Sequence, residues 1–444
     1  MLRSLTKTRV ISFDGLMAHV RLPLYRNAYA LMISTAVTSV FGLLYWILAA
    51  RYYRPDIVGL NAAVVSMLTF LAGVAQLPFM NAILRFLPVA GIAAGRFVRR
   101  TYLISILIAT VIGALFLLSI EFWTPVLGFL RQDLWLSLWF LIGVVAWCVF
   151  ALQDNVLTGL REAIYVPLEN VPYAVTKVGL LIGLAGPFAA YGILASWTFP
   201  LLMVLPPVNY LIFRRLIPRH IRAANGQTLG YGIRQIVYYM GGNSLGALFL
   251  LAATRLLPLL VTNQAGALAN AYFYLPWTIA TSLKLIIANM TTSFTVEAAR
   301  DTTKIQAYGY RFLAHTAGIL ALPVILMVIG APYILNISGE TYAAEGTQLL
   351  RLLTLTTIPN VVISLYLGIA RVRQQVSGII FVQGAFCVLT LGLSYLLLPM
   401  VGIVGVGIAV LVGESCIAVT LFFTNLWPIL CTPLLLRLYE SRAR

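Results

Sequence analysis

The sequence predicts an all-α polytopic membrane protein, with twelve transmembrane helices in two parallel, pseudo-symmetric six-helix bundles around a central cavity. Three observations predict it. Of 444 residues, 61% are hydrophobic and only 10% charged, against roughly 25% charged in a soluble domain, and the mean hydropathy is +0.94. Apolar runs of the length a bilayer core of roughly 30 Å demands, about 20 residues per helix, recur along the whole chain. The two halves also resemble each other weakly at an offset near 206 residues. A water-soluble enzyme or binding module is excluded, and all chemistry must take place inside the membrane or at its faces.

Charge clusters and Gly/Pro turns cut the apolar stretches into spans at 27–50, 57–87, 101–120, 134–158, 170–190, 193–213, 235–261, 264–294, 306–330, 347–370, 374–398 and 401–427. These define a cytoplasmic N-terminal segment (1–26), a first bundle (27–213), a basic linker (214–234), a second bundle (235–427) and a cytoplasmic tail (428–444). The first span is too long for a signal peptide and no small-residue cleavage site follows it.

Positive loops resist translocation. With both termini inside, most of the 30 basic residues fall on the cytoplasmic side, including Arg96, Arg99, Arg100 and the cluster Arg214, Arg215, Arg219 and Arg222. Only Arg51, Arg54, Arg131 and Arg255 fall near the outer side, and Lys177, Lys284 and Arg351 lie within spans. The net charge of +17 is then topology and attraction to anionic lipid headgroups, and no nucleic-acid partner is required. The longest outward loop expected, 331–346, contains Glu340 and Glu345. A glycan polymerase or ligase needs a larger outer loop for its acid/base groups.

The repeat rests on short matches. Ala49-Ala50-Arg51 ends the first span as Ala253-Thr254-Arg255 ends the seventh, and at an offset of 206 Asp154 falls on Asn360 and Lys177 on Gln383. An even number of spans per half makes the repeats parallel, related by an axis along the membrane normal, with a cavity between them.

Ionisable groups within spans cost roughly 2.5 to 3.5 kcal/mol each on insertion scales, so every one needs a partner, a snorkelling route or a wet cavity. Asp154 and Lys177, assigned to the cytoplasmic ends of spans 4 and 5, are either a structural ion pair or a cavity site in which a cation meets an anionic ligand and a carboxylate takes a proton or sodium ion. On span 8, Asn270, Thr278, Thr281, Ser282, Lys284 and Asn289 share an arc, which a cavity explains better than interhelical hydrogen bonding alone. Arg85 and Asn81 on span 2 either face the same cavity or snorkel. Glu414, mid-span in helix 12, has no partner at i+3 or i+4; it is a carboxyl set against a neighbouring helix or a coupling-ion site. Arg351 is expected to snorkel and His315 to pack.

Cys148, Cys387, Cys416 and Cys431 show no CxxC spacing, and His19, His220 and His315 no ligand spacing, so neither metal nor cofactor is expected. The run Gly402 to Gly407 lacks the preceding strand of a phosphate loop and reads as close helix packing. Pro78, Pro187, Pro258, Pro276, Pro323 and Pro359 are expected to interrupt spans and bend helices.

The segment Leu48-Ala49-Ala50-Arg51-Tyr52-Tyr53-Arg54-Pro55-Asp56-Ile57-Val58-Gly59, with Ile83-Leu84-Arg85-Phe86-Leu87-Pro88 after it, resembles the first two helices of bacterial Wzx-type polysaccharide flippases, members of the multidrug/oligosaccharidyl-lipid/polysaccharide (MOP) exporter superfamily. The resemblance implies transport of a lipid-linked, anionic oligosaccharide from the inner to the outer leaflet of the bacterial cytoplasmic membrane, by alternating access, for surface polysaccharide synthesis. It further implies, by helix position, a cationic cavity formed by Lys177, Lys284, Arg85, Arg51 and Arg255. Asp154 and Glu414 are the candidates for proton or sodium coupling or for ion pairing. Membrane lipids, and a polysaccharide polymerase with its assembly proteins, are the partners such a role implies. The competing readings are a cation-coupled multidrug antiporter on the same scaffold, a membrane glycan polymerase and a non-transporting scaffold.

Overall fold

In hydrocarbon a backbone N–H or C=O has no water to bond, so a long apolar run satisfies itself only as a helix. The computed structural model describes residues 23–224 and 232–430, and these are helical almost throughout, with no strand among the described residues. The expected N-terminal segment up to residue 22, residues 225–231 of the linker and the tail from residue 431 lie outside the described residues.

In the first half, α1 is Pro23–Tyr52, α2 Pro55–Phe86, α3 Ala94–Trp123, α4 Leu134–Gly159, α5 Val166–Leu184 and α6 Gly192–Leu211. Helix α6 runs on through a π turn at Ile212–Leu216 into Ile217–Ala223, so the basic cluster expected in a linker loop is helical. In the second half, α7 is Ile233–Arg255, continued past a bend at Leu256; the helical run Leu257–Arg300 is broken at Gly266, and α8 is its longer, later part. Next come α9 (Ile305–Asn336), α10 (Glu340–Val372, interrupted at Thr356), α11 (Val376–Val401) and α12 (Ile403–Leu421).

Several boundaries differ from expectation for identifiable reasons. Gly266 has φ +86° and ψ 169°, a conformation only glycine adopts without strain. The chain reverses there, as the facing of Thr254 by Trp277 across one cavity requires. Arg255 is therefore not at the outer end of its span but about 16 Å short of the turn, at 1.5 Å per residue, and its likeness to Arg51 is one of sequence only. Gly339 and Gly402 also have positive φ and make the α9–α10 and α11–α12 reversals. In consequence α9 extends to Asn336 and α10 begins at Glu340, leaving three residues where a sixteen-residue loop was expected. Helix α5 starts and stops earlier than expected because the Gly186-Pro187 turn ends it.

Packing repeats between the halves. Helix α1 lies on α5 as α7 lies on α11, α2 on α4 as α8 on α10, α3 on α4 as α9 on α10, and α5 on α6 as α11 on α12. The halves meet mainly through α2, which packs along both α7 and α8. At the Gly266 end the approach is backbone to backbone. A Cβ on Gly59 would overlap the Ala267 carbonyl oxygen and crowd the Ala271 nitrogen, and Asn270 Nδ2 donates to the Gly59 carbonyl at 2.7 Å. Around this contact the Thr124 hydroxyl donates to Asn263 Oδ1 at 2.7 Å, Asn263 Nδ2 donates to the Trp123 carbonyl, and Trp46 meets Tyr274 at 4.5 Å. That end of the interface between the halves is closed.

Gly59→Val should force α2 and α8 apart. Overpacking of this kind costs about 1 to 3 kcal/mol, so the thermal midpoint of the purified protein is expected to fall; an unchanged midpoint would contradict the close approach.

Candidate functional site

Polar side chains on the inward face of α8 begin the site. Thr281, Lys284, Ala288 and Thr291 follow one another at helical spacing and, with Trp277 and Thr292, form one wall of a cavity of about 560 Å³. Leu250 and Thr254 of α7, Asn360, Ser364 and Arg371 of α10, Gln383 and Phe386 of α11 and Glu414 of α12 form the others. The cavity lies within the second half and runs from Lys284 and Glu414 towards the exposed Arg371, near the end of α10.

At its centre Lys284 Nζ donates to Glu414 Oε1 at 2.6 Å. The lysine side chain is 19% exposed and the glutamate 1%; Glu414 Oε2 is buried with no hydrogen-bond donor. The pair thus cancels formally but is asymmetric, because the ammonium still reaches the cavity while the carboxylate is buried, with the Asn360 side chain beside it. Separating such a pair by removing one partner leaves an uncompensated charge in low dielectric, at a cost of about 3 to 5 kcal/mol. Lys284, expected to face a cavity, does line one and is also half of an ion pair, and Glu414 has a partner 130 residues away in sequence.

Lys177 and Asp154 do not pair. Helix α5 runs from Val166 to Leu184, which moves Lys177 beyond its middle, whereas Asp154 lies near the opposite end of the bundle and accepts two hydrogen bonds from Asn170 Nδ2, at 3.2 and 3.1 Å. Asn170 precedes Lys177 by about two helical turns, so the two charges sit at different depths. Lys177 is 5% exposed and lies among the rings of Trp197 (4.0 Å to the centroid), Tyr45 (4.7 Å) and Tyr173 (5.1 Å). It lines no part of the second-half cavity.

None of the three arginines expected there lines that cavity either. Arg51 is exposed and its Nη1 donates to the Ile337 carbonyl at 3.2 Å, placing a cation at the C-terminus of α9, where the helix dipole favours one. It fastens the closed end. Arg85 is exposed at the far end of α2, its guanidinium 5.8 Å from the Phe86 ring. Arg255 is half-buried on α7 and within electrostatic reach of the Tyr274 hydroxyl. Arg351, expected to snorkel, is exposed and donates to the Val328 carbonyl at 3.0 Å. His315 is exposed rather than packed.

Two charged groups escaped the sequence reading. Glu169, fully buried beside Asp154 with no donor to either oxygen, stood one residue outside the expected start of span 5. Arg371, counted as an ordinary cytoplasmic base, supplies the cavity's second cation. Asn360 and Gln383, the repeat partners of Asp154 and Lys177, both line the cavity; that polar recurrence was the available signal.

No protein-family model matches the sequence and no curated protein is similar to it. Solved structures share the fold. An inward-facing multidrug resistance transporter of the MATE family, in the MOP superfamily, is 18% identical with a TM-score of 0.65, covering 91% of this chain and 98% of that one. The lipid II flippase MurJ in an inward closed conformation is 12% identical with a TM-score of 0.67, covering 88% and 86%. A MOP-superfamily transporter from Pyrococcus furiosus, whose reversed pocket polarity is said to suggest a different function, is 14% identical with a TM-score of 0.61, covering 92% and 95%. The chain has the fold of these transporters, as the sequence predicts.

If Lys284 and Glu414 are one energetic unit, Lys284→Met and Glu414→Met should each destabilise by about 3 to 5 kcal/mol, and the double variant by far less than their sum. Unfolding of the four proteins measures the coupling, and additive losses would dissolve the pair.

Proposed function

We propose that this chain is a transporter of the MOP type that moves a polyprenyl-pyrophosphate-linked oligosaccharide across the bacterial inner membrane for surface polysaccharide synthesis. The observation that carries the reading is the charge balance of the cavity. Two cations, Lys284 and Arg371, face one carboxylate, Glu414, whose bonded oxygen is already engaged. The surplus is positive, as an anionic headgroup requires. At about 560 Å³ the cavity is of the size that encloses a small ligand or headgroup, and its apolar walls, Trp277, Ile363, Leu367 and Phe386, suit a molecule that keeps a lipid tail.

On this reading the lysine- and arginine-rich Arg371 end faces the cytoplasm and the closed Gly266 end faces outward, so the structure is an inward-facing state. A pyrophosphate entering past Arg371 competes with Glu414 for the Lys284 ammonium. Outward passage requires the halves to part at Gly59 and Ala267 and to close at the opposite end. With the cell interior negative, each anionic charge carried outward is favoured by about 2.3 kcal/mol per 100 mV. Glu414 and Asp154 are the groups through which protons or sodium ions would couple to the cycle, and a polymerase and its assembly proteins would receive the glycan outside.

A second reading has one observation in its favour. The same Trp277 and Phe386 walls, with Glu414, would accept a lipophilic organic cation, as a multidrug antiporter does. Arg371→Gln, which removes an exposed cavity cation and leaves the Lys284–Glu414 pair intact, separates the two. Export of the glycan in cells should fall at least about tenfold, the loss of one charge-assisted contact, with protein levels unchanged. Undiminished export would remove the anion site, and a gain in cation efflux would favour the antiporter.

A further inference from the structure

The most unusual environment in the molecule is that of Lys177. A buried ammonium ordinarily carries a carboxylate or several hydrogen-bond acceptors with it. Among the described residues Lys177 has neither: the ion pairs there are formed by other side chains, and the faces of Trp197, Tyr45 and Tyr173 lie 4.0 to 5.1 Å from its ammonium. Stabilisation comes from the ring quadrupoles, an attraction that strengthens when water is excluded.

The rings are held without help from the lysine. The Tyr45 hydroxyl bonds the Ile193 carbonyl at 2.9 Å and shares a hydrogen bond with Ser196 Oγ at 2.8 Å. The Tyr173 hydroxyl donates to the Trp197 carbonyl at 3.3 Å. Trp46 and Trp147 brace the Trp197 ring from two sides, at 6.0 and 5.7 Å. Three helices, α1, α5 and α6, thus build a rigid aromatic cage of the kind that recognises quaternary ammonium ions, and one side chain of α5 already fills it. At the repeat position of the second half stands Gln383, whose amide packs on Gly246.

We propose that Lys177 is a tethered occupant of a preformed cation cage, and that by filling it the protein bars organic cations with a trimethylammonium-type head from the first half. This goes beyond the anion-export reading: the cage excludes such cations whatever the second-half cavity carries, and the test reads binding rather than transport. Shortening the side chain to alanine removes three methylenes and the ammonium, four heavy atoms against the five of a tetramethylammonium ion, leaving a hole of similar size and the same charge preference.

Binding of tetramethylammonium to the full chain in lipid nanodiscs, followed calorimetrically, tests the idea. Lys177→Ala should bind at least about tenfold more tightly than the unaltered protein. Lys177→Met, which refills the cage with an apolar arm, should not gain binding, and Lys177→Ala with Trp197→Leu should lose it. A well-folded alanine variant that binds no better than the parent, or a methionine variant that binds equally well, overturns the proposal. Should Lys177→Ala fail to accumulate, tetramethylammonium chloride during growth and extraction should restore it where sodium chloride at equal concentration does not; equal recovery in both salts, or in neither, also overturns it.

Discussion

A charge placed between transmembrane helices needs a partner, a snorkelling route or a wet cavity. The contact between Lys284 and Glu414 meets that requirement while joining α8 to α12, and it sets what the cavity around it can do. Elsewhere the chain meets the same requirement in other ways. Lys177 is enclosed by aromatic rings, Asp154 is held by the Asn170 amide, and Arg51 sits on the last carbonyls of α9. Lys284 and Glu414 are both paired with each other and part of the cavity wall, which is why that position carries the functional reading.

The second constraint is mechanical. Because α2 and α8 touch through backbone atoms at Gly59, the closed end tolerates no side chain there, and Asn270 turns that proximity into a hydrogen bond. The cavity runs towards Arg371, while the halves meet closely at Gly59 and Ala267. The repeated pairings, α1 with α5 and α7 with α11, give each half the same internal frame. The two halves differ in content, however: the second holds the cavity, while the corresponding region of the first is filled by Lys177 and its rings.

Much of the fold was legible in the sequence. Length and apolarity alone place most spans to within a few residues, since a bilayer leaves a chain of this composition little choice. The differences arise where one residue decides the backbone. Gly266, Gly339 and Gly402 permit reversals so tight that expected loops become helix, and Gly186-Pro187 ends α5 before its apolar run is exhausted. The site was less legible. Lys284, Glu414, Asn360 and Gln383 were each visible as polar groups in apolar sequence, yet the pairing of residues 284 and 414 depends on how α8 and α12 pack and leaves no local signature. The supposed partnership of Asp154 and Lys177 failed because an error of a few residues in the start of α5 shifts depth by several ångströms, enough to separate two charges. Arg371 was hidden by its resemblance to an ordinary cytoplasmic base, and the cage around Lys177 by the distance in sequence between Tyr45, Tyr173 and Trp197.

The account rests on the cavity of the second half preferring a negatively charged, lipid-tailed ligand. Equilibrium binding of a polyprenyl diphosphate and of tetraphenylphosphonium to the same reconstituted protein, at several salt concentrations, measures that preference directly. The expected result is tight, salt-sensitive binding of the diphosphate, with the cation held at least about tenfold more weakly. Tighter binding of tetraphenylphosphonium, or diphosphate binding indifferent to salt, would contradict it.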